Sequence, residues 1–152
     1  MATEKPMTIL IADDNLGDRM LIQRAILECH PDARCPTVED GEDLMDYLCQ
    51  RGPYSAAQTA PLPDVILLDL NMPRKNGLEA LSEIAADPTL SGIPVVMLTS
   101  SSAPQEILQA YELGASSFII KPMSYDEMSE TIKALCQYWT HTLSGSLKPR
   151  LV

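Results

Sequence analysis

The feature that most constrains the fold is a short apolar run in mid-chain, Val65–Leu68, which Asp69 follows directly. The run is too short for a helix, contains β-branched residues and lies just before Pro73. Such a run is typical of a buried strand in a parallel sheet. Ligands of open α/β sheets bind beyond the carboxyl ends of the strands. We therefore expect Asp69 to have a chemical role rather than a capping or turn role.

Composition limits the domain count and the class of partner. The chain has 152 residues, of which 45% are hydrophobic, which is enough for one core and too short for two ordinary domains. The formal net charge of -10 argues against nucleic-acid binding, because neutralising phosphates requires clustered Lys and Arg. One acidic domain without a nucleic-acid partner is expected.

Membrane, zinc and disulfide signals are also missing from the sequence. No apolar run is long enough to span a bilayer, and residues 1–8 lack the layout of a signal peptide, so a cytoplasmic protein without a membrane partner is expected. With only two histidines and no C-x-x-C pair, neither a zinc site nor a disulfide framework is indicated. The cysteines are interpreted as reduced, mostly buried thiols: Cys29, Cys35, Cys49 and Cys136.

Apolar patterning predicts five strands that alternate with helices. The expected strands are Thr8–Ala12, Ala33–Val38, the central run, Ile93–Leu98 and Ser116–Ile120. The expected helices are Asp18–Glu28, Gly41–Cys49, Leu78–Ala85, Pro104–Leu113 and Ser124–Trp139. This alternation predicts a doubly wound, five-stranded parallel sheet with helices on both faces, of the flavodoxin-like type.

Two segments stand apart from this repeat. Arg51–Pro63 contains Gly, Pro and small polar residues and is interpreted as an unusually long surface loop. Residues 142–152 show no periodicity, so residues 1–141 are predicted to form the domain and the remainder a tail.

Polar side chains directly follow four of the apolar runs: Asp13 and Asp14, then Asp69, Thr99 and Lys121. Each alone has an ordinary interpretation as a turn residue, a cap or a solvated charge. The carboxyl ends of parallel strands meet at one edge of the sheet, however, so all five should lie close together. This coincidence favours a shared functional site.

These groups suit phosphoryl transfer to a carboxylate. Clustered carboxylates repel one another unless a hard cation neutralises them, and Mg²⁺ prefers oxygen ligands. With Mg²⁺ bound, Asp69 can attack phosphorus as a nucleophile and become an aspartyl phosphate. Lys121 and the Thr99 hydroxyl are then the groups expected to stabilise the phosphoryl oxygens.

From Thr8 to Trp139, the chain resembles a response-regulator receiver domain of two-component signalling. The motifs that carry the resemblance are Asp13-Asp14, Asp69–Pro73 with Gly77, Thr99-Ser100 and Lys121-Pro122. The resemblance implies that Asp69 is the phosphoacceptor, with Thr99 and Lys121 as catalytic partners.

The resemblance also implies the metal ligands and the switch residues. Asp14 and Asp69 would bind Mg²⁺ directly, Asp13 through water, and Asn71 through its backbone carbonyl. Thr99 would be the switch hydroxyl. The aromatic switch position is occupied by Phe118, which lacks the hydroxyl of the Tyr found in many relatives.

Within the family, the chain resembles the small regulators of cyanobacterial and bacterial phytochromes. The long loop at 51–63, the absence of an effector domain and the Tyr138-Trp139 pair support this comparison. It implies a phytochrome histidine kinase as phosphoryl donor and an unknown downstream protein. Lys121-Pro122 is predicted to be a cis peptide, since the chain must turn sharply there.

A homodimer is expected through the fourth helix, fifth strand and fifth helix. Tyr111, Tyr125 and Tyr138 can lie outside the core there, and exposed aromatic clusters are typical of interfaces. The alternative is a monomer whose tyrosines pack over their own helices.

Two rival functions remain open at this point. A Mg²⁺-dependent aspartyl-phosphate hydrolase usually has a second acid two residues after the nucleophile, where this chain has Asn71. A receiver-like interaction module that is not regulated by phosphorylation usually lacks the acidic pair or the lysine, and both are present here. Signalling without enzymatic turnover is therefore the favoured interpretation.

Overall fold

The computed structural model describes residues 6–56 and 60–144. Its strands are β1 (Ile9–Ala12), β2 (Thr37–Val38), β3 (Val65–Leu68), β4 (Val95–Thr99) and β5 (Ser117–Ile120). Its α-helices are α1 (Leu16–Cys29), α2 (Gly41–Leu48), α3 (Gly77–Ala86), α4 (Pro104–Glu112) and α5 (Tyr125–Ser144). The predicted alternation of strand and helix is confirmed.

All five strands form one parallel sheet in the order β2-β1-β3-β4-β5. Because β1 pairs with both β2 and β3, the connections that leave β1 and β3 run in opposite directions across the sheet. In the β1–β3 register Ala12 lies beside Leu68, so both strands end at the same level. The crevice beyond these two strand ends is the topological switch point, where this fold class binds ligands.

Alternate residues of each strand enter two separate cores, as expected for a sheet covered on both faces. In β3, Ile66 and Leu68 pack in the core beneath α2, α3 and α4. Val65 and Leu67 pack in the other core, beneath α1 and α5. The fold class predicted from the sequence is therefore confirmed.

Side-chain caps fix where the helices near the sheet edge begin. Asn15 accepts a hydrogen bond from the Asp18 N–H at 2.9 Å, which starts α1 two residues before the predicted Asp18. Asn76 and Glu79 form a reciprocal capping box at the start of α3. These caps satisfy backbone N–H groups that a helix cannot pair internally.

The structure departs furthest from the predicted elements in three places. Strand β2 is shorter than Ala33–Val38, since Pro36 has no N–H for a ladder and Arg34 forms only an isolated bridge to Thr8. The loop at 51–63 contains a short 3-10 helix, Gly52–Tyr54, and its residues 57–59 lie outside the described part. Helix α5 continues past residue 141 to Ser144, and residues 145–152 lie outside the described part, so the division into domain and tail stays a prediction.

The prediction of a cis Lys121-Pro122 bond is wrong. Residues 6–56 and 60–144 contain no cis peptide, so this bond is trans. The Lys121 N–H donates to the Thr99 carbonyl at 2.8 Å, which continues the β4–β5 pairing up to the proline. A trans bond, the preferred isomer, is therefore compatible with the turn at this point.

The four cysteines are all free thiols. Cys49 is exposed and Cys29 is half-buried, while burial raises the pKa of Cys35 to about 11 and that of Cys136 to about 12. The two buried thiols therefore stay protonated at neutral pH. Within the described part of the chain, no helix combines the length and apolarity needed to cross a bilayer.

Gly77 allows α3 to pack directly against the turn that holds Asp69. A Cβ atom at this position would collide with the Asp69 carbonyl oxygen and come within 2.8 Å of the Leu70 Cα. Both obstacles are backbone, which cannot rotate away. We expect Gly77→Ala to lower the free energy of unfolding by about 1–3 kcal/mol, as overpacking does elsewhere, measured by urea denaturation.

Gly92→Ala is the matched control, since a Cβ at Gly92 meets no atom within 4 Å. Equal unfolding free energies for the two variants would show that the turn beneath Asp69 yields without cost.

Candidate functional site

Three carboxylates meet at the carboxyl edge of the sheet. Asp13 and Asp14 follow β1, Asp69 follows β3, and one ligand oxygen from each lies within 4.8 Å of the others. Asp13 and Asp69 are 2% and 6% exposed, whereas Asp14 is exposed. The predicted convergence of these residues is therefore present in the structure.

Backbone pairing holds the two buried carboxylates in place. The Asp69 N–H donates to the Ala12 carbonyl at 2.9 Å, which extends the β1–β3 ladder beyond the strands. The side chains are oriented by the next backbone amides: the Asn15 N–H donates to Asp13 Oδ1 at 2.9 Å, and the Asn71 N–H to Asp69 Oδ1 at 3.4 Å. Both turns thus present the carboxylates toward one crevice.

Lys121 enters this crevice from the end of β5. Its Nζ lies 2.6 Å from Asp13 Oδ2, 2.8 Å from Asp18 Oδ2 and 3.3 Å from Asp69 Oδ2. The lysine side chain is only 7% exposed. The ammonium therefore bridges the strand ends that surround the crevice.

Burial and charge act against each other in this group. Burial raises the pKa of Asp13 to about 6, and the Asp69 charge adds to the increase, while hydrogen bonds from Lys121 and the Asn15 N–H act against it. For Lys121, burial disfavours the charged form, but its hydrogen bonds to Asp13 and Asp18 outweigh burial and raise its pKa. Lys121 is therefore cationic at neutral pH.

The charge balance of the site fits a divalent cation. The Lys121 ammonium contacts the carboxylates of Asp13, Asp18 and Asp69, and the Asp14 carboxylate converges with those of Asp13 and Asp69. The three that converge on one point offer hard oxygen ligands, which suit Mg²⁺, Ca²⁺ or Mn²⁺. Asn71 is exposed in the turn after β3, next to this group.

Two residues of the site were missed from the sequence, Asp18 and Arg19, both in the first turns of α1. Asp18 was placed only as the start of a helix, but its carboxylate pairs with Lys121. Arg19 is buried and donates to the Asp13 carbonyl at 2.8 Å, and it lies 3.5 Å from Glu39. A helix that starts beyond a strand end lies at the same edge of the sheet, and this signal could have identified Asp18.

Thr99 and Phe118 lie in β4 and β5, the two strands on the other side of β3 from β1. Thr99 ends β4, is fully buried, and its Oγ1 accepts a hydrogen bond from the Ser101 N–H at 3.3 Å. The Ser101 hydroxyl in turn donates to the Glu106 carboxylate in α4. Phe118 is half-buried in β5, and its N–H donates to the Tyr111 hydroxyl at 3.1 Å. The end of β4 and the middle of β5 are thus both tied to α4.

Comparisons with known proteins agree with this architecture. Residues 9–133 match the family profile of the response regulator receiver domain. Response regulator Rcp1 of Synechocystis is 32% identical over 91% of this chain and 92% of its own length. The probable methanogenesis regulatory protein FilR2 of Methanothrix harundinacea is 34% identical over 91% of this chain and 87% of its own.

Solved structures are similar over the same span. The phosphorylated cyanobacterial phytochrome response regulator RcpA superposes with a TM-score of 0.85 at 38% identity, over 91% of this chain and 96% of that one. The Mn²⁺-bound form of Rcp1 superposes with a TM-score of 0.83 at 33% identity, over 90% and 96% of the two chains. From this match and the geometry of its acidic edge, the chain belongs to the response regulator receiver domain family.

Proposed function

We propose that the protein accepts a phosphoryl group from a histidine kinase on Asp69 in a Mg²⁺-dependent reaction, and signals through its own surface. One observation carries this proposal. Asp69 is a buried carboxylate held between the Lys121 ammonium and a convergent group of oxygen ligands. This is the arrangement that a carboxylate nucleophile for phosphorus requires.

In the transfer step, a carboxylate oxygen of Asp69 forms a bond to phosphorus. The bond from phosphorus to the donor imidazole nitrogen breaks, and its electron pair stays on that nitrogen. Asp13, Asp14, Asp69 and the Asn71 carbonyl are the groups that would hold Mg²⁺, whose charge offsets the repulsion between the acceptor and the incoming phosphoryl oxygens.

The remaining groups act on the phosphoryl oxygens. Lys121 supplies a fixed positive charge beside Asp69, since its Nζ already lies 3.3 Å from the Asp69 carboxylate. Thr99 supplies a hydroxyl from the end of β4, two strands away from β1. Both are held by sheet ends, so little reorganisation is needed when the new charge forms.

Asp69→Asn should abolish acyl-phosphate formation while leaving the fold intact, because the amide matches the carboxylate in shape but is a poor nucleophile. The measurement is transfer of a radiolabelled phosphoryl group from a histidine kinase, with and without EDTA. Undiminished, hydroxylamine-labile labelling of the variant would contradict the assignment. Asp46→Asn removes a partly exposed carboxylate of α2 that pairs with Arg51, and serves as the control for charge alone.

The two residues of the acidic pair should differ in their effect on the metal. Asp14→Asn should weaken Mg²⁺ binding more than Asp13→Asn, since a direct ligand contributes more than one that acts through water. The exposed position of Asp14 supports this order, because its carboxylate loses less hydration in the free protein. Titration calorimetry of both variants measures the difference, and equal affinities would count against these ligand roles.

The similarity to RcpA and Rcp1 supports a phytochrome histidine kinase as the donor. A methanogen regulator is equally similar in sequence, so a panel of kinases is the direct test of the donor. We propose that the protein is cytoplasmic and that the kinase presents its phosphohistidine to Asp69 in the cytoplasm. No catalytic turnover is proposed, because Asn71 occupies the position where a phosphatase of this chemistry would carry its acid.

We also propose that the protein dimerises through the surface formed by α4, β5 and α5. Large apolar side chains are exposed there, with Leu108 63%, Ile120 47% and Tyr111 40% exposed. Tyr125 is 66% exposed, but Tyr138 is half-buried against the core and is a weaker candidate than predicted. Exposed apolar residues that cluster in this way are typical of interfaces.

Leu108→Glu should convert the dimer to a monomer, because a buried unpaired carboxylate opposes association. Sedimentation at micromolar concentration, before and after phosphorylation, measures the oligomeric state. Leu62→Glu is the matched control, since Leu62 is 45% exposed in the loop before β3, outside α4, β5 and α5. A monomeric wild-type protein in both states would rule the dimer out, and a dimer insensitive to Leu108→Glu would place the interface elsewhere.

A further inference from the structure

The position of Lys121 conflicts with metal binding in this structure. Its ammonium is hydrogen-bonded to oxygens of Asp13 and Asp69, at 2.6 and 3.3 Å. Both carboxylates belong to the group whose oxygens can converge on one cation. A divalent ion and the ammonium therefore compete for the same negative charge, and they repel each other.

Asp18 offers the ammonium a partner outside the metal group. Its Oδ2 lies 2.8 Å from Lys121 Nζ, but it is not among the carboxylates that converge on one point. The Asp18 backbone is fixed by its N–H bond to the Asn15 cap, and its side chain is only 19% exposed. The backbone that carries this partner is thus held by the cap of α1, and its carboxylate lies outside the metal group.

We propose that Asp18 is a positioning residue that holds Lys121 when a divalent cation takes over Asp13 and Asp69. Whether the cation contacts Asp13 directly or through water, that carboxylate then has less charge to share with the ammonium. Asp18 keeps one ammonium hydrogen paired and holds Nζ beside Asp69, which leaves the other hydrogens for the phosphoryl oxygens. This inference rests on the function proposed above, and it assigns Asp18 a role through Lys121 rather than on the metal.

The prediction follows from the reciprocity of coupled equilibria. If metal binding makes Lys121 depend more on Asp18, then removing the Asp18 charge must weaken metal binding, and only while Lys121 is present. We expect Asp18→Asn to weaken Mn²⁺ affinity by about fivefold in the wild-type background and by less than about twofold in a Lys121→Met background. Titrations of four proteins measure both effects: the wild type, Asp18→Asn, Lys121→Met and the double variant. Free Mn²⁺ is quantified in each titration by electron paramagnetic resonance.

Three outcomes would overturn the proposal. Equal weakening in both backgrounds would mean that Asp18 acts through its charge on the metal alone, and unchanged affinity would mean that Lys121 needs no second partner. Stronger binding by Asp18→Asn would mean that Asp18 holds Lys121 in the way of the metal. Circular dichroism confirms that each variant is folded, and Asp18→Glu, which keeps the charge, should recover part of the affinity.

Asp46→Asn again removes a carboxylate away from the crevice and should leave the Mn²⁺ affinity unchanged. The titrations require no phosphoryl donor, so they separate this inference from the proposed function. If the wild-type protein binds Mn²⁺ with the predicted dependence on Lys121 but accepts no phosphoryl group from any kinase, the proposed function fails while the role of Asp18 stands.

Discussion

The site depends on one buried ammonium among carboxylates. Asp13 and Asp69 are almost inaccessible to water. Burying a carboxylate there without a partner costs hydration free energy that nothing else offsets. Lys121, itself 7% exposed in its side chain, provides the opposing charge at hydrogen-bond distance. Because the lysine has more acidic neighbours than it can neutralise, the site stays negative and retains affinity for a further cation.

The topology of the sheet brings these charged side chains together. β1 lies beside β3 in register, so residues that follow the two strands meet, although 56 positions separate Asp13 from Asp69 along the chain. β5 lies at the end of the same sheet, and a long flexible side chain spans the remaining distance.

The site residues that follow strands could be predicted from the sequence, whereas Asp18, which lies in a helix, was missed. Asp13, Asp69, Thr99 and Lys121 each follow an apolar run, and the shared direction of parallel strands brings such positions to one edge of the sheet. Asp18 gave a weaker signal. The start of a helix beyond a strand end places it at the same edge of the sheet, but helical periodicity describes which face of α1 is buried and not how far a polar side chain reaches. The length of β2 was overestimated for a similar reason. The composition around Pro36 predicts a strand, but it does not indicate where the hydrogen-bond ladder is interrupted.

Hydrogen bonds also connect β4 and β5 to helix α4. Thr99 is linked through Ser101 to Glu106, and Phe118, beside Met97 in the sheet, is linked to Tyr111. In the proposed function, a phosphoryl group on Asp69 adds charge toward which the Thr99 hydroxyl can donate, while its Oγ1 still accepts from the Ser101 N–H. The Tyr111 hydroxyl accepts a hydrogen bond from the backbone N–H of Phe118 and so ties β5 to α4. In the proposed function, a small change at Thr99 on phosphorylation reaches α4 through Ser101 and Glu106 and shifts its position without a new fold.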